Sequence, residues 1–211
     1  MPLQLYEKER ILDACFTVFA CHGYANTSTA MLAEAAGISK ALIFHHFKSK
    51  KKLYFSVLKR CIKKMATEVG DDSQSDYQDF FEAWGKRGLL KFDYLKKNPN
   101  VNKVLFEAFY ATPNEIKADL NQFMIDIEEK YGSTDRNKWR NQLFDKVPLR
   151  EGVDREEALE LIQVTMDYFE KVYLSQLTNE GELDEALWQN IFDKRINFLN
   201  MIRYGIEEKR D

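Results

Sequence analysis

Between Ser28 and Phe47 the chain places two eight-residue runs, Thr29–Ala36 and Lys40–Phe47, on either side of Gly37-Ile38-Ser39. Each run begins at a hydroxyl side chain, Ser28 or Thr29 for the first and Ser39 for the second. Such side chains accept the unpaired N–H groups at a helix start. Gly37 suits the left-handed backbone that closes a helix. Leu32, Ala33, Ala36, Ile38 and Ile43 recur at spacings that would pack the pair against a preceding helix, and the small Ala33 and Ala36 permit close approach. This is the layout of a helix-turn-helix, whose second helix enters the major groove while the first crosses the DNA backbone. The competing reading is an ordinary helical hairpin in a core.

The flanking sequence is helical in spacing. A first helix is expected over about Tyr6–His22, with Ile11, Leu12, Cys15, Val18 and Phe19 on one face and Gly23 as its stop. Ser49 opens a longer helix that runs to about Val69, and GDDSQS from Gly70 to Ser75 is a polar break. Beyond it, helices are expected over about Tyr77–Lys97, Val101–Ala111, Pro113–Tyr131, Arg155–Thr178 and Asp184–Glu208. Thr112-Pro113-Asn114-Glu115 carries three helix-start signals together, and Asp154–Glu157 gives a similar cap. Gly132–Gly152 is the least regular stretch, with a short helix around Lys138–Phe144. Four prolines and nine glycines interrupt the chain, and no segment alternates like a strand. The expectation is an all-α chain of about nine helices. It comprises an N-terminal three-helix helix-turn-helix unit (1–48), a connecting helix (49–70) and a C-terminal ligand-binding and dimerisation bundle (71–211).

A net charge of −3 argues against a simple nucleic-acid binder, but its distribution does not. Residues 1–66 hold eleven basic and four acidic residues, a net of +7; the remainder holds twenty basic and thirty acidic residues, a net of −10. Two features turn the +7 toward DNA. Ser39, Lys40, Ala41, His45 and His46 would leave a polar, small-residue face on the second helix of the motif. Lys48, Lys50, Lys51 and Lys52 crowd the start of the next helix, where the helix dipole disfavours cations unless an anion compensates. Phosphate would do so.

The first fifty-odd residues resemble the TetR family of bacterial transcriptional regulators. The matching residues are Ile11-Leu12, Ala14, Phe19, Gly23-Tyr24, Thr27-Ser28, Leu32-Ala33, Ala36-Gly37-Ile38-Ser39, Ile43-Phe44-His45-His46-Phe47, Lys50 and Leu53, without a gap. The resemblance implies that Ser28 and Thr29 contact the DNA backbone or a groove edge, and that Lys40, Ala41 and Leu42 face bases. It further implies that Phe44, His46 and Lys50 touch phosphates. Phe44 stands where the family usually has tyrosine, so that phosphate hydrogen bond is missing, and packing or contact with a thymine methyl replaces it. Ala30 is too short to reach a base.

The rest of the chain offers aromatic residues and wide apolar stripes. Most of the aromatics must pack in the core. The resemblance implies a small-molecule pocket among the central helices, with Trp84, Phe106, Phe109, Tyr110 and Tyr168 as its candidates and a largely apolar effector. The last two helices carry stripes wider than one core needs. They suggest a homodimer joined by a four-helix bundle through Phe169, Tyr173, Trp188, Phe192, Phe198, Leu199 and Ile202. Two reading helices would then meet the half-sites of a palindromic operator in double-stranded DNA.

Other chemistry finds little support. Adjacent His45 and His46 point about 100° apart on a helix and do not readily share a metal ion. No catalytic spacing and no Gly-rich phosphate loop is present, so neither an enzyme, a metal nor a cofactor is expected. Cys15, Cys21 and Cys61 lack a CxxC pair, and Cys15 and Cys21 read as packed, reduced thiols. No stretch reaches the length of a membrane span, and Met1–Arg10 lacks an apolar signal core, so a cytoplasmic protein without membrane contact is expected. The reading at this level is a DNA-binding regulator, with repression the expected sign and release by a ligand. A ligand-independent DNA-binding factor and a helical enzyme with a basic N-terminus stand as alternatives. Charge reversal at Lys50 should weaken binding to any duplex, whereas a change at Lys40 should alter sequence preference. Mobility-shift titrations on operator and random DNA measure both.

Overall fold

The structure is a computed structural model that describes residues 3–70, 77–131, 134–179 and 185–206. Within these stretches the side chains at 3–7, 128–131, 134–138, 173–179, 185, 187, 188 and 206 are not described. Among the described residues the chain is all-helical and contains no strand. The order is α1 (Leu3–Asn26), α2 (Thr29–Ala36), α3 (Lys40–Phe47), α4 (Lys50–Val69), α5 (Phe80–Lys97), α6 (Pro99–Tyr110), α7 (Lys117–Tyr131), α8 (Thr134–Phe144), α9 (Arg155–Asn179) and α10 (Glu185–Ile206). A single 3-10 turn, Asn114–Ile116, precedes α7.

The caps follow local chemistry in most places. Ser28, Ser39 and Ser49 accept the backbone N–H groups of Met31, Leu42 and Lys52 at 3.2, 3.2 and 3.1 Å. Asp154 does the same for Glu156 and Glu157 at 2.8 and 3.0 Å. Gly37 closes α2 at φ 65°, and its N–H returns to Ala33 and Glu34. Thr112 behaves differently from its expected capping role. Its hydroxyl donates back to the Ala108 carbonyl at 2.5 Å, so Pro113 leads into the 3-10 turn without a side-chain cap. The helix expected at Lys138–Phe144 extends back to Thr134.

Contacts group the chain into two compact units, Met1–Glu68 with Asn98–Lys130, and Val69–Lys97 with Tyr131–Asp211. This grouping differs from a linear division after residue 70. The physical reason lies in α6 and α7. α6 packs on α1 and buries Val101, Val104, Leu105 and Ala108. In α7, Phe123 stacks on Phe55 of α4 with ring centroids 4.9 Å apart, and Asp119 pairs with Lys51 at 2.7 Å.

The first unit has its core where α1, α2, α3 and α4 turn Ile11, Phe19, Leu32, Ile43, Leu53 and Tyr54 inward. Cys15 is buried, donates its thiol to the Leu32 carbonyl at 3.9 Å, and burial pushes its pKa up to about 12. Cys61 is likewise buried and pushed up to about 12. Cys21, expected to pack, is exposed instead, because it lies off the buried face of α1.

The second unit packs α5, α8, α9 and α10 around Phe80, Phe81, Phe144, Ile162, Met166 and Leu199. Phe80 stacks on Trp84 and meets Phe144 edge-on, each with centroids 5.1 Å apart. Arg195 of α10 is also buried there. Its Nη2 donates to the Trp84 carbonyl at 3.3 Å, and its guanidinium sits over the Phe92 ring. Gly88 makes room for it, since a Cβ at that position would overlap the guanidinium. Phe80→Ala should destabilise the second unit by about 3–5 kcal/mol, the usual cost of an emptied aromatic site. Hydrogen exchange of amides in α5 and α8 checks this, and protection there should fall while that of α1–α4 stays unchanged.

Candidate nucleic-acid interface

The candidate reading surface is built by the short helix α3. Ile43 and Phe47 point into the core of the first unit and anchor it. The opposite face is open: Lys40, Ala41, Leu42, Phe44 and His45 are exposed, and His46 is half-buried with an Nε2 that has no partner among the described residues. The rings of His45 and His46 meet edge-on at 5.4 Å. Leu42 and Phe44 stand out, at 38% and 45% exposure. Apolar groups this open on a short helix suit a surface that meets thymine methyls. Ser28 and Ser39 use one lone pair each as caps, which leaves their O–H groups to donate outward. Thr29 is half-buried beside Ser28 at the start of α2. The residues expected to read DNA are thus gathered on α3 and at the start of α2.

The lysines divide. Lys48, the C-cap of α3, has φ 67°, a left-handed backbone that a non-glycine residue seldom adopts. Its N–H bonds the Phe44 carbonyl at 2.9 Å. Lys40, Lys48 and Lys52 are exposed and have no ion-pair partner among the described residues. Lys51 is tied to Asp119. Lys50, expected at a phosphate, points inward. Its Nζ donates to the carbonyls of Tyr24 and Thr27 at 2.9 and 3.1 Å and lies 4.1 Å from the centroid of the Tyr24 ring. The absence of acids from the first turn of α4 is therefore met partly inside the protein.

The turn that Lys50 holds connects α1 to α2. Gly23 interrupts the helical backbone at φ 71°, ψ 173°. Thr27 donates its hydroxyl to the Gly23 carbonyl at 2.6 Å. The Tyr24 N–H donates to Oε1 of Glu107 on α6 at 2.7 Å, and the Tyr54 hydroxyl donates to Oε2 at 3.0 Å. Burial raises the Glu107 pKa above the usual carboxylate range, while the two hydrogen bonds and Lys50 pull it down. Burial also raises the Tyr54 pKa, with the Glu107 charge adding to it. Glu107 was not singled out from the sequence. A lone acid on an amphipathic helix carries no signal of a contact 83 residues away.

The expected pocket aromatics are not gathered in one place. A cleft of about 470 Å³ in the second unit is lined by Phe80, Trp84, Leu159 and Ile162, together with Arg140, Arg155, Glu156, Glu160, Asn141 and Gln163. Trp84 belongs to it, and the Arg140 guanidinium lies 5.9 Å from the Trp84 ring. Phe106, Phe109 and Tyr110 sit on α6 in the first unit, and Tyr168 stands exposed on α9. None of these four lines the cleft.

The expected dimer residues divide as well. Phe169, Leu199 and Ile202 are buried in the chain's own core, and Phe192 is half-buried. Phe198 is exposed and meets Phe169 edge-on at 4.6 Å. Tyr173 and Trp188 lie outside the described side chains. The more exposed apolar face carries Val172, which belongs to the expected stripe, Tyr168, which was expected in the pocket, and four residues that sequence reading missed: Leu161 and Val164 on α9, and Met201 and Tyr204 on α10. Their signal was the excess width of the stripe, which does not by itself tell inner from outer positions.

Among the described residues no group of acids, histidines and cysteines could hold a metal ion, and no helix is long and apolar enough to cross a membrane.

Comparison with known proteins bears on this surface. Residues 11–57 match the model of the bacterial regulatory proteins, tetR family. The HTH-type transcriptional repressor AcnR of Corynebacterium efficiens is 29% identical over 186 residues, 85% of this chain and 88% of that protein. The HTH-type transcriptional activator FasR of Mycolicibacterium smegmatis is 26% identical over 117 residues, about half of each chain (53% and 50%). Among solved structures, the regulator FadR of Bacillus subtilis in complex with stearoyl-CoA superposes with a TM-score of 0.66 at 18% identity, covering 94% of this chain and 99% of that one. That likeness shows the fold.

If Lys52 meets phosphate, Lys52→Glu should weaken operator and random duplex alike. It should also lower the slope of log K against log salt by about 0.9, the loss of one phosphate contact. Lys50→Met should instead lower the thermal midpoint and leave that slope unchanged. Mobility-shift titrations at several salt concentrations, beside thermal unfolding, separate the two.

Proposed function

We propose that this protein is a TetR-family transcriptional regulator that acts as a repressor, released from a palindromic operator by a small-molecule effector. The observation that carries the DNA-binding reading is α3 itself, held inward by Ile43 and Phe47 with Lys40, Ala41, Leu42, Phe44 and His45 open on the other side. Ser28 and Thr29 would position the unit on the backbone, and Lys48 and Lys52 would supply phosphate contacts in place of Lys50. Repression is the sign favoured by the similarity to AcnR over 85% of the chain. A reporter placed behind the bound operator tests that sign, and a rise on adding the protein would make it an activator.

The cleft at Trp84 is the proposed effector site. Its floor is aromatic and aliphatic, and its rim carries two arginines and two glutamates, so an amphipathic ligand with a polar head suits it better than a wholly apolar one. The complex of the structurally similar FadR with stearoyl-CoA makes that compound a reasonable first probe. For release, such a ligand must bind the state unable to hold DNA more tightly than the state that holds it.

The open face of α9 and α10 is proposed to bury itself in a homodimer, which would present two copies of α3 to two half-sites. Met201 and Tyr204 are 60% and 73% exposed. Met201→Asp with Tyr204→Asp should shift the protein to monomers in sedimentation velocity without loss of helix. Operator affinity should fall at least tenfold while binding to single half-sites persists. A dimer that survives both substitutions would remove this interface.

A further inference from the structure

The Tyr24–Thr27 turn is gripped from two sides by groups of opposite charge. Glu107 of α6 takes its N–H at 2.7 Å, and Lys50 of α4 takes two of its carbonyls at 2.9 and 3.1 Å. Gly23 is required twice at this place. Its φ of 71° favours glycine, and a Cβ there would stand 2.6 Å from Glu107 Oε1, inside any real contact. Tyr54, wholly buried, spends its hydroxyl on the other carboxylate oxygen.

We propose that Glu107 is a positioning residue for operator binding, whose carboxylate sets the turn from which α2 and α3 hang and ties their orientation to the place of α6. The inference rests on the DNA-binding reading above. With the carboxylate in place, the buried N–H of Tyr24 and O–H of Tyr54 are both satisfied, and the turn has one orientation. Without it both donors lose their partner, a state that buried polar groups avoid by shifting backbone. The turn then has several orientations, and α3 meets the groove in only some of them. Whatever displaces α6 draws the same carboxylate from the turn.

The charged and titratable groups that face Glu107 are Lys50 and Tyr54 on α4 and Tyr24 at the end of α1. Glu115 and Asp119, the latter paired with Lys51, act on Tyr24. Because burial lifts the Glu107 pKa, the folded chain holds that proton more tightly than the unfolded one. Its contribution to stability is complete below the ordinary carboxylate value and declines as pH rises through the lifted value.

The test uses the full chain with Glu107→Ala, Glu107→Gln and Tyr54→Phe, on an operator fragment and on random duplex. Each is assayed well below its unfolding temperature, with the active fraction measured by stoichiometric titration. Glutamine can still accept from Tyr24 and donate to the Tyr54 oxygen. The expected result is operator affinity at least tenfold weaker for Glu107→Ala and within threefold of wild type for Glu107→Gln. Tyr54→Phe should fall between them, and random-duplex affinity and salt slope should stay unchanged in all three. The stability of wild type relative to Glu107→Gln should fall as pH rises from about 4.5 and then level off. Wild-type operator affinity in Glu107→Ala would overturn the proposal. So would a loss in Glu107→Gln equal to that in Glu107→Ala, or a loss that vanishes once the unfolded fraction is subtracted. Failure of the wild type to bind any duplex would overturn the DNA-binding reading instead.

Discussion

At Gly23 the backbone leaves the helix with φ 71°, ψ 173°, and the DNA-reading part of the molecule follows from that break. It turns the Tyr24 N–H out of α1 and toward α6, where the Glu107 carboxylate receives it. It places the Tyr24 and Thr27 carbonyls where Lys50 reaches them. The rings of Phe19, Tyr24 and Tyr54 close around the same point, with centroids 5.1 to 6.4 Å apart. A helix that ran on past residue 23 would satisfy its own N–H groups and have nothing to offer Glu107. The capped helices α2 and α3 then hang from an element fixed by an acid, a base and an aromatic cluster.

The electrostatics of the basic N-terminal part gain meaning from this arrangement. Four lysines near the start of α4 read in sequence as one phosphate-binding patch. Their side chains reach different places: Lys50 inward to carbonyls, Lys51 to Asp119, Lys48 and Lys52 to solvent. A cation at a helix start is unfavourable by a few tenths of a kcal/mol to about one. Two carbonyl acceptors and an aromatic face compensate Lys50 without any DNA. Lys52 has no such compensation among the described residues and stays exposed to solvent.

The second unit follows a simpler logic. Phe80, Phe144 and the inner stripes of α9 and α10 make an ordinary aromatic-aliphatic core. One buried cation, Arg195, is accommodated by a glycine and two aromatic residues. The same helices keep a second apolar face toward solvent, with Leu161, Val164, Tyr168, Met201 and Tyr204 more than half open or close to it. That open face is the one proposed above to be buried between two copies of the chain.

The sequence by itself determined the all-helical class, the Ser-capped pair α2 and α3 with Gly37 between them, and the residues that α3 turns outward. All of these depend on groups within four residues of one another: a cap on the third N–H, a glycine at a left-handed close, the 3.6-residue period. Tertiary structure alone decided that α6 and α7 pack with the reading unit, that Lys50 is a brace, that Glu107 receives the turn, and which side of the wide stripes on α9 and α10 is covered. Tertiary structure also overrode the Thr112 cap, because that hydroxyl had a nearer acceptor in Ala108. Periodicity shows that a helix has an apolar side, but not which distant helix will cover it. A carboxylate 83 residues from its donor acts only after the chain has brought the two together.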